Sequence, residues 1–141
     1  DNTKIIITSD HSGYFNPSVF NENGMEEFKV FNAMMFVKDF NNRGRIIENE
    51  DFMTIADIPF LATKHLDEAK NPFTGNIITN DYKTNGVNIV LTKHSDPKGN
   101  FRTRLDFDYY YHVKDNIFNI NNWKKFQIDW KSKETKEIEL R

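Results

Sequence analysis

The chain has 141 residues, which suits one domain with a real core but is short for a complete α/β hydrolase that also holds a metal centre. Its formal net charge of −2 comes from 19 basic and 21 acidic residues that are interspersed along the sequence, so no basic stripe indicates nucleic-acid binding. Because cysteine is absent, neither a disulfide framework nor a thiolate zinc site is possible.

The first predicted element is a strand, Lys4–Thr8, followed by the turn-rich stretch Ser9–Gly13. Its β-branched run without helical spacing predicts a buried strand of a parallel sheet. Ligands bind at the carboxyl ends of the strands in open α/β sheets. Asp10 and His11 are therefore expected where such a fold places its chemistry.

A second strand is predicted from Phe28 to Lys38, after a surface loop that covers Tyr14 to Glu27. The nearly continuous apolar stretch in this segment is typical of a strand covered on both faces. It is expected to neighbour the first strand. Asn41–Gly44 is predicted to form a turn.

One main helix is predicted from Thr54 to Ala69. Thr54 and Asp57 have the spacing of a capping box, and apolar residues follow at helical intervals. Pro59 lies awkwardly in that frame, so the helix either begins nearer Asp57 or bends at the proline. Asn71–Gly75 closes the segment as an irregular loop.

The remainder of the chain predicts a β-hairpin made of Val87–Thr92 and Phe101–Val113, joined by a turn at Asp96–Gly99. Asn121–Trp130 fits either a short helix or another strand, and Ser132–Arg141 is expected to be a charged end. The predicted fold class is α/β, with one main helix and one hairpin. A single domain over 1–141 is expected, in which residues 1–75 hold the first two strands and the helix and residues 76–141 hold the hairpin and the tail.

Asp10 and His11 are the strongest candidates for chemistry. An adjacent carboxylate and imidazole suit Zn²⁺ or Mn²⁺, but two ligands do not complete a site. Spacing alone favours a structural or turn-capping pair. Of the other histidines, His65 is expected at the surface or in packing, His94 in a loop, and His112 in a hydrogen bond at a strand end.

An aromatic cluster is the other candidate surface, since Tyr109–Tyr111, Trp123 and Trp130 could form a stacking platform for a sugar or a base. Aromatic residues at strand spacing more often form the core and cross-strand pairs. The structural interpretation is therefore favoured.

The Thr8-Ser9-Asp10-His11 motif resembles the late metal-binding motif of the alkaline phosphatase superfamily, which includes sulfatases, phosphoethanolamine transferases and lipoteichoic acid synthases. Further segments follow in the order that such bacterial sulfatase-like proteins show, over most of the chain. They are Phe36–Phe40, Phe52–Pro59, Asn71–Gly75, His112–Phe118 and Asn122-Trp123.

The resemblance implies that this chain is the C-terminal portion of a larger sulfatase-like catalytic domain. Asp10 and His11 would bind one divalent metal, which could be Zn, Mn, Mg or Ca. In the family an earlier carboxylate and a Ser, Thr or formylglycine nucleophile complete the centre, so no catalytic nucleophile is expected in this chain. The implied substrate is a phosphate or sulfate ester, such as a lipid headgroup, a cell-envelope polymer or a glycan, and the other implied partner is the remainder of the catalytic domain.

The resemblance also implies a membrane-anchored parent with this domain outside the cytoplasm. Within the chain itself the longest apolar runs, Ile5–Ile7 and Ala33–Val37, are far below the roughly 20 residues that span a bilayer, so a soluble piece is expected. Where the family usually has Gly after the His, this sequence has Ser12 and then Gly13. That departure keeps a second hypothesis open, a non-catalytic descendant or binding module in which Asp10-His11 is structural.

Overall fold

The computed structural model describes residues 2–12, 26–90, 93–95, 101–106 and 108–140. The chain divides into two compact units, Asp1–Tyr82 and Lys83–Arg141. Within the described ranges there are one α-helix and eight strands, and the paired strands are antiparallel. The chain is therefore broadly α/β. That it is one piece of a larger catalytic domain stays a prediction.

In the first unit, β1 (Ile5–Thr8) pairs with β2 (Met35–Lys38). The two strands are neighbours, as predicted, but they run antiparallel, with Ile5 opposite Lys38. The expectation of a buried strand in a parallel sheet is therefore wrong for the described pairing. An apolar run specifies an extended segment but not the direction of its neighbour, and Ile7 remains 53% exposed.

The segment before β2 also differs from the prediction of one strand from Phe28 to Lys38. Residues Glu26–Phe31 form a 3₁₀ helix, and the strand begins only at Met35. A 3₁₀ helix has three residues per turn, so Phe28 and Phe31 fall on the same side of it. Phe28 is almost completely buried. The predicted loop from Tyr14 lies outside the described residues up to residue 25.

The helix begins with the predicted capping box. Thr54 N donates to Asp57 Oδ2 at 2.7 Å, and Ala56 N donates to Thr54 Oγ1 at 3.1 Å. A short 3₁₀ turn, Ile55–Asp57, leads into α1 (Ile58–Thr63), which has Pro59 in its first turn. Proline is tolerated there because its missing N–H has no partner to lose. The helix thus begins just after Asp57, one of the two predicted alternatives, but it ends earlier than Ala69.

Lys4, just before β1, contacts both α1 and the end of β2. Its Nζ donates to the carbonyl of Leu61 in α1 at 2.7 Å and lies 3.2 Å from Asp39 Oδ1, just after β2. Lys64 Nζ lies 3.1 Å from the other oxygen of Asp39. One carboxylate therefore joins a buried lysine just before β1 and a partly exposed lysine at the end of α1.

The second unit is built on a four-stranded antiparallel sheet. Its strands, in their order across the sheet, are β3 (Val87–Ile89), β6 (Tyr109–Val113), β7 (Trp123–Asp129) and β8 (Glu134–Ile138). A separate pair is formed by β4 (Lys93–Ser95) and β5 (Phe101–Asp106).

The predicted hairpin is confirmed in its pairing but not in its continuity. Val87 lies opposite Val113 and Ile89 lies opposite Tyr111, so the two predicted runs do pair antiparallel. The long second run is not one strand, because Asp108 is a bend between β5 and β6. The predicted turn at Asp96–Gly99 lies outside the described residues.

One face of this sheet carries the buried core of the second unit. Val113 and Trp123 are cross-strand partners, as are Tyr111 and Lys125, and these four side chains are between 0% and 7% exposed. The Lys125 ammonium lies 5.4 Å from the centre of the Tyr111 ring, an attractive cation–π geometry. The lysine is therefore accommodated among aromatic rings.

Two segments of the C-terminal region are strands, one of which was predicted as helix or strand and the other as a charged end. After a 3₁₀ turn at Ile120–Asn122, the segment that was predicted as helix or strand is the strand β7. Ser132–Arg141 was expected to be a charged end, but Glu134–Ile138 pairs with β7 as β8. Backbone hydrogen bonds to β7 hold this charged segment, which is largely exposed and so has no hydrophobic pattern to reveal it.

Candidate functional site

Asp10 and His11 lie in the turn directly after β1. His11 N donates to Asp10 Oδ1 at 2.9 Å, and His11 Nδ1 lies 2.8 Å from the carbonyl oxygen of Ser12. Because a carbonyl only accepts, this contact calls for a proton on Nδ1, and in the neutral ring the lone pair is then on Nε2. The local backbone thus selects the tautomer.

The two side chains present one oxygen and one nitrogen to each other. His11 Nε2 lies 3.6 Å from Asp10 Oδ2, and the side chains are 61% and 84% exposed, respectively. Two ligand atoms about 2.1 Å from a tetrahedral Zn²⁺ are about 3.4 Å apart. The pair therefore has a separation that one metal ion could bridge, while the same geometry also suits a weak surface ion pair.

The turn that carries the pair is tied to the segment in front of β2. Ser9 N donates to the carbonyl of Met34 at 3.0 Å, and Met34 N donates back to Ser9 Oγ at 2.8 Å. Ser12 N donates to the carbonyl of Val30 at 3.1 Å. Sequence reasoning missed Ser9 as the positioning residue, although a serine beside a strand end has a known tendency to bond nearby backbone.

No third ligand joins the pair within the part of the chain that the structure describes, where no group of three or more His, Asp or Glu side chains could hold a metal ion. A structural zinc site needs four protein ligands, and a catalytic one needs three. The described residues therefore fit half of such a site, supplied by Asp10 and His11. Any further ligand would have to come from elsewhere.

The remaining histidines do not join this pair in the described structure. His65 makes an edge contact with the ring of Phe40, at 4.8 Å between centroids, and His112 Nδ1 lies 2.8 Å from Asn88 Oδ1 on the neighbouring strand. Both placements match the predicted packing and hydrogen-bonding roles. His94 lies in β4, so its predicted place in a loop is wrong.

The aromatic cluster forms cross-strand pairs in place of an open platform. Tyr110 and Phe126 are directly opposite each other and stack at 5.1 Å between ring centroids with 13° between their planes. Tyr111 is buried and meets Trp123 edge to face at 6.3 Å. Trp123 Nε1 donates to the carbonyl of Ile117 at 2.8 Å. The rings of Tyr110, Tyr111 and Trp123 thus pack against other rings, and the indole N–H of Trp123 bonds to backbone. The structural interpretation is therefore the better one.

A polar cluster at the start of the helix was not foreseen in full. Asp57 is completely buried, and Thr54 Oγ1 and the Tyr82 hydroxyl are hydrogen bonded to each other. Burial raises the pKa of Tyr82, and the charge of Asp57 adds to the rise. The carboxylate accepts the N–H of Thr54, so its position is explained by helix capping. Tyr82 lies 28 residues from Thr54, a separation that no local pattern predicts.

Three comparisons with known proteins add no relative from which a role could be transferred: no protein-family model, curated protein or solved structure matches the chain. Among the described residues, no helix has both the length and the apolar character needed to cross a membrane.

Proposed function

We propose that this chain is the C-terminal portion of a metal-dependent phosphoryl- or sulfuryl-ester hydrolase or transferase of the alkaline phosphatase type. In this proposal Asp10 and His11 supply two ligands to a divalent metal, and the nucleophile and the other ligands come from the remainder of the catalytic domain. The chain alone has no turnover. The substrate is a phosphate or sulfate ester of a lipid headgroup, an envelope polymer or a glycan, outside the cytoplasm.

The observation that carries the proposal is the geometry of the Asp10-His11 pair. Oδ2 and Nε2 lie 3.6 Å apart on an exposed turn, and the backbone contact of Nδ1 leaves Nε2 available to a metal. A ligating histidine commonly donates its other ring nitrogen to a carbonyl or a carboxylate, which fixes the ring. Here the Ser12 carbonyl takes that part.

A second support comes from the small sheet that holds the turn. β1 and β2 form only a two-stranded pair among the described residues, and a two-stranded ribbon is marginal on its own in water. Ile5, Ile7 and Phe36 remain 43–53% exposed. We propose that β1 and β2 form one edge of a larger sulfatase-like sheet and that the rest of the catalytic domain covers these side chains.

A divalent metal in such a centre would stabilise negative charge on the transferred phosphoryl or sulfuryl group. The role of this chain is to hold two ligands in fixed positions. Ser9 and Ser12 do so by fastening the turn to Met34 and Val30. The side chains of Asp10 and His11 then need little reordering to meet an ion.

The test is made on the complete protein that contains this chain. Asp10→Ala and His11→Ala should each lower the bound metal measured by plasma mass spectrometry. Each should also lower hydrolysis of p-nitrophenyl phosphate or p-nitrophenyl sulfate by about a hundredfold or more, since loss even of outer-shell support costs about 10- to 100-fold. His65→Ala and Asp67→Ala, an exposed histidine and an exposed carboxylate of the same unit, are the matched controls and should change neither. Bound metal and activity that survive both Asp10→Ala and His11→Ala would refute the proposal.

The isolated chain offers a simpler measurement. Two ligands leave most of the coordination sphere to water, so calorimetry should detect only weak or undetectable binding of Zn²⁺ and Mn²⁺. A tight site that His11→Ala abolishes would mean that this chain holds a complete centre, contrary to the proposed division of ligands.

A specific observation also favours a second candidate, a non-catalytic descendant or binding module. The bond from His11 N to Asp10 Oδ1 and the contact of Nδ1 with Ser12 O already close the turn without a metal. In that case the complete protein binds no metal, the sequence before Asp1 holds no nucleophile or metal carboxylate, and Asp10→Ala lowers only stability. The metal analysis described above separates the two candidates.

A further inference from the structure

Among the described residues of the first unit, the most exposed apolar side chains apart from Phe73 are those of Ile46 and Ile47, which are 83% and 88% exposed. They lie in residues 43–51, Arg-Gly-Arg-Ile-Ile-Glu-Asn-Glu-Asp, a stretch that forms neither helix nor strand and that we term the isoleucine segment. Within the described structure, residues 43–48 take part in no hydrogen bond or ion pair. Their backbone and side chains are thus available to a partner.

Charge is arranged asymmetrically about the two isoleucines. Arg43 and Arg45 precede them, and Glu48 and Glu50 follow them. All four charged residues are exposed. The order along the segment is therefore basic, apolar, acidic.

This order is complementary to itself when reversed. Two copies related by a two-fold axis present the same surface to each other, so a contact between residue i and residue j occurs twice. If the two segments run antiparallel, the arginines of one copy lie beside the glutamates of the other at both ends. The isoleucines then meet at the axis.

We propose that the isoleucine segment is a self-association surface whose partner is a second copy of this chain. The contact buries Ile46 and Ile47 of both copies, and the charges at the two ends fix the antiparallel orientation, since opposite charges across paired segments attract and like charges repel. A surface this short gives a weak, salt-sensitive dimer, because small interfaces are typical of transient complexes and exposed charges are screened by salt.

A lipid surface is the competing partner, because isoleucines beside arginines also suit the interface of an anionic membrane. The segment argues against it. Glu48, Glu50 and Asp51 outnumber the two arginines, and an anionic leaflet would repel them. A second copy pairs both arginines with Glu48 and Glu50, whereas a membrane satisfies only the basic end.

The experiment measures the molar mass of the 141-residue chain by sedimentation equilibrium over a range of concentrations. Ile46→Asp/Ile47→Asp should weaken self-association about tenfold or more. The charge-reversed variants Arg43→Glu/Arg45→Glu and Glu48→Arg/Glu50→Arg should each weaken it as much, because each places like charges side by side. Mixing the two charge-reversed variants should restore association as a heterodimer, which no loss of folding could imitate. Lys114→Glu/Lys131→Glu, also exposed, and Phe73→Asp, at 94% exposure, are the controls and should associate as the unchanged chain does.

Three results would overturn the proposal. They are a monomer at every concentration, association that survives Ile46→Asp/Ile47→Asp, and a mixture of the charge-reversed variants that stays monomeric. Flotation with vesicles of phosphatidylserine and phosphatidylcholine is the fourth check. A monomeric chain that binds these vesicles, and loses that binding in Ile46→Asp/Ile47→Asp, would assign the segment to a membrane instead.

Discussion

The two units of the chain obtain their order in different ways. In Lys83–Arg141 a four-stranded sheet buries Tyr111, Val113 and Trp123 on one face. In Asp1–Tyr82 the strands β1 and β2 form a pair with half-exposed apolar residues, and the contacts that join the elements are largely polar. The candidate metal ligands, Asp10 and His11, lie in Asp1–Tyr82.

This difference has a physical consequence for the candidate site. Burial of apolar area supplies most of the stability of a domain, so strands whose apolar side chains stay half-exposed, as those of β1 and β2 do, depend more on individual polar contacts. In Asp1–Tyr82 such contacts are made by Ser9, Ser12 and Lys4. The turn with Asp10 and His11 is thus fastened by two backbone hydrogen bonds and by one bond, from Met34 N to Ser9 Oγ, that a single substitution can remove.

The largest expected effect lies in the sheet core. Trp123→Ala should lower the free energy of unfolding by about 3–5 kcal/mol, because a large buried aromatic side chain leaves a cavity and Trp123 Nε1 loses its bond to Ile117. Trp130, at 59% exposure, is the matched control, and Trp130→Ala should cost less than about 1 kcal/mol. Urea unfolding followed by circular dichroism measures both, and equal losses would show that this sheet is not organised around Trp123.

The next effect concerns Gly86, which has a φ of +88° and lies against the ring of His112. A Cβ at this position would lie 2.5 Å from His112 Nε2 and 2.7 Å from the carbonyl oxygen of Val113. Gly86→Ala should therefore cost about 3 kcal/mol from overpacking and backbone strain together.

Gly75→Ala isolates the strain component of that cost. Gly75 also has a positive φ, of +73°, but nothing lies within 4 Å of its Cβ position. The loss there should be only about 1 kcal/mol. Thermal unfolding of both variants gives the comparison, and a cost at Gly86 no larger than that at Gly75 would mean that His112 moves aside freely.

A smaller effect is expected at the polar centre of the first unit. Lys4→Ala removes the bond to the Leu61 carbonyl and one of the two lysines at Asp39, and it should cost about 1–3 kcal/mol, as for a hydrogen bond to a charged group. Lys64→Ala removes the other lysine, whose side chain is 41% exposed, and should cost less than about 1 kcal/mol. Urea unfolding would contradict this order if Lys64→Ala were the more damaging variant.

Local signals in the sequence predicted the parts of the fold that depend on local chemistry. The capping box at Thr54 and Asp57, and the start of the helix beside Pro59, follow from side chain to backbone bonds within one turn. The strand character of β3 and β6 follows from their β-branched and aromatic residues. These features need no knowledge of distant residues.

Two of the predictions that were wrong concerned strand pairing, which an apolar pattern alone does not specify. β1 is an apolar run, yet its partner runs antiparallel, and β8 has almost no apolar pattern, yet it pairs with β7. For the site, adjacency in the sequence predicted Asp10-His11 as a pair, but not the bonds from Ser9 and Ser12 to Met34 and Val30. Those bonds join residues about twenty apart, where no periodicity operates.

The smallest expected effect is a pH dependence that differs between the units. The pKa of Asp39 is lowered from 3.8 to about 2 by the Phe40 N–H and Lys64, followed by Lys4. The pKa of Asp129 is lowered by the backbone N–H groups of Lys131 and Ser132. A carboxylate with a lowered pKa contributes stability above its ordinary pKa and loses it as pH falls through the folded value.

The contribution of Asp39 should therefore disappear between about pH 4 and about pH 2, so Asp39→Asn should flatten the fall in melting temperature over that range. Salt tests the cause. Lysines contribute at Asp39, and salt screens exposed charge pairs, so the difference between the unchanged chain and Asp39→Asn should shrink in high salt. The corresponding difference for Asp129→Asn should persist, because its cause is hydrogen bonds that neutral backbone N–H groups of the same turn donate to the Asp129 carboxylate. Thermal unfolding at low and high salt measures both, and an equal response to salt would show that the lysines add little to the state of Asp39.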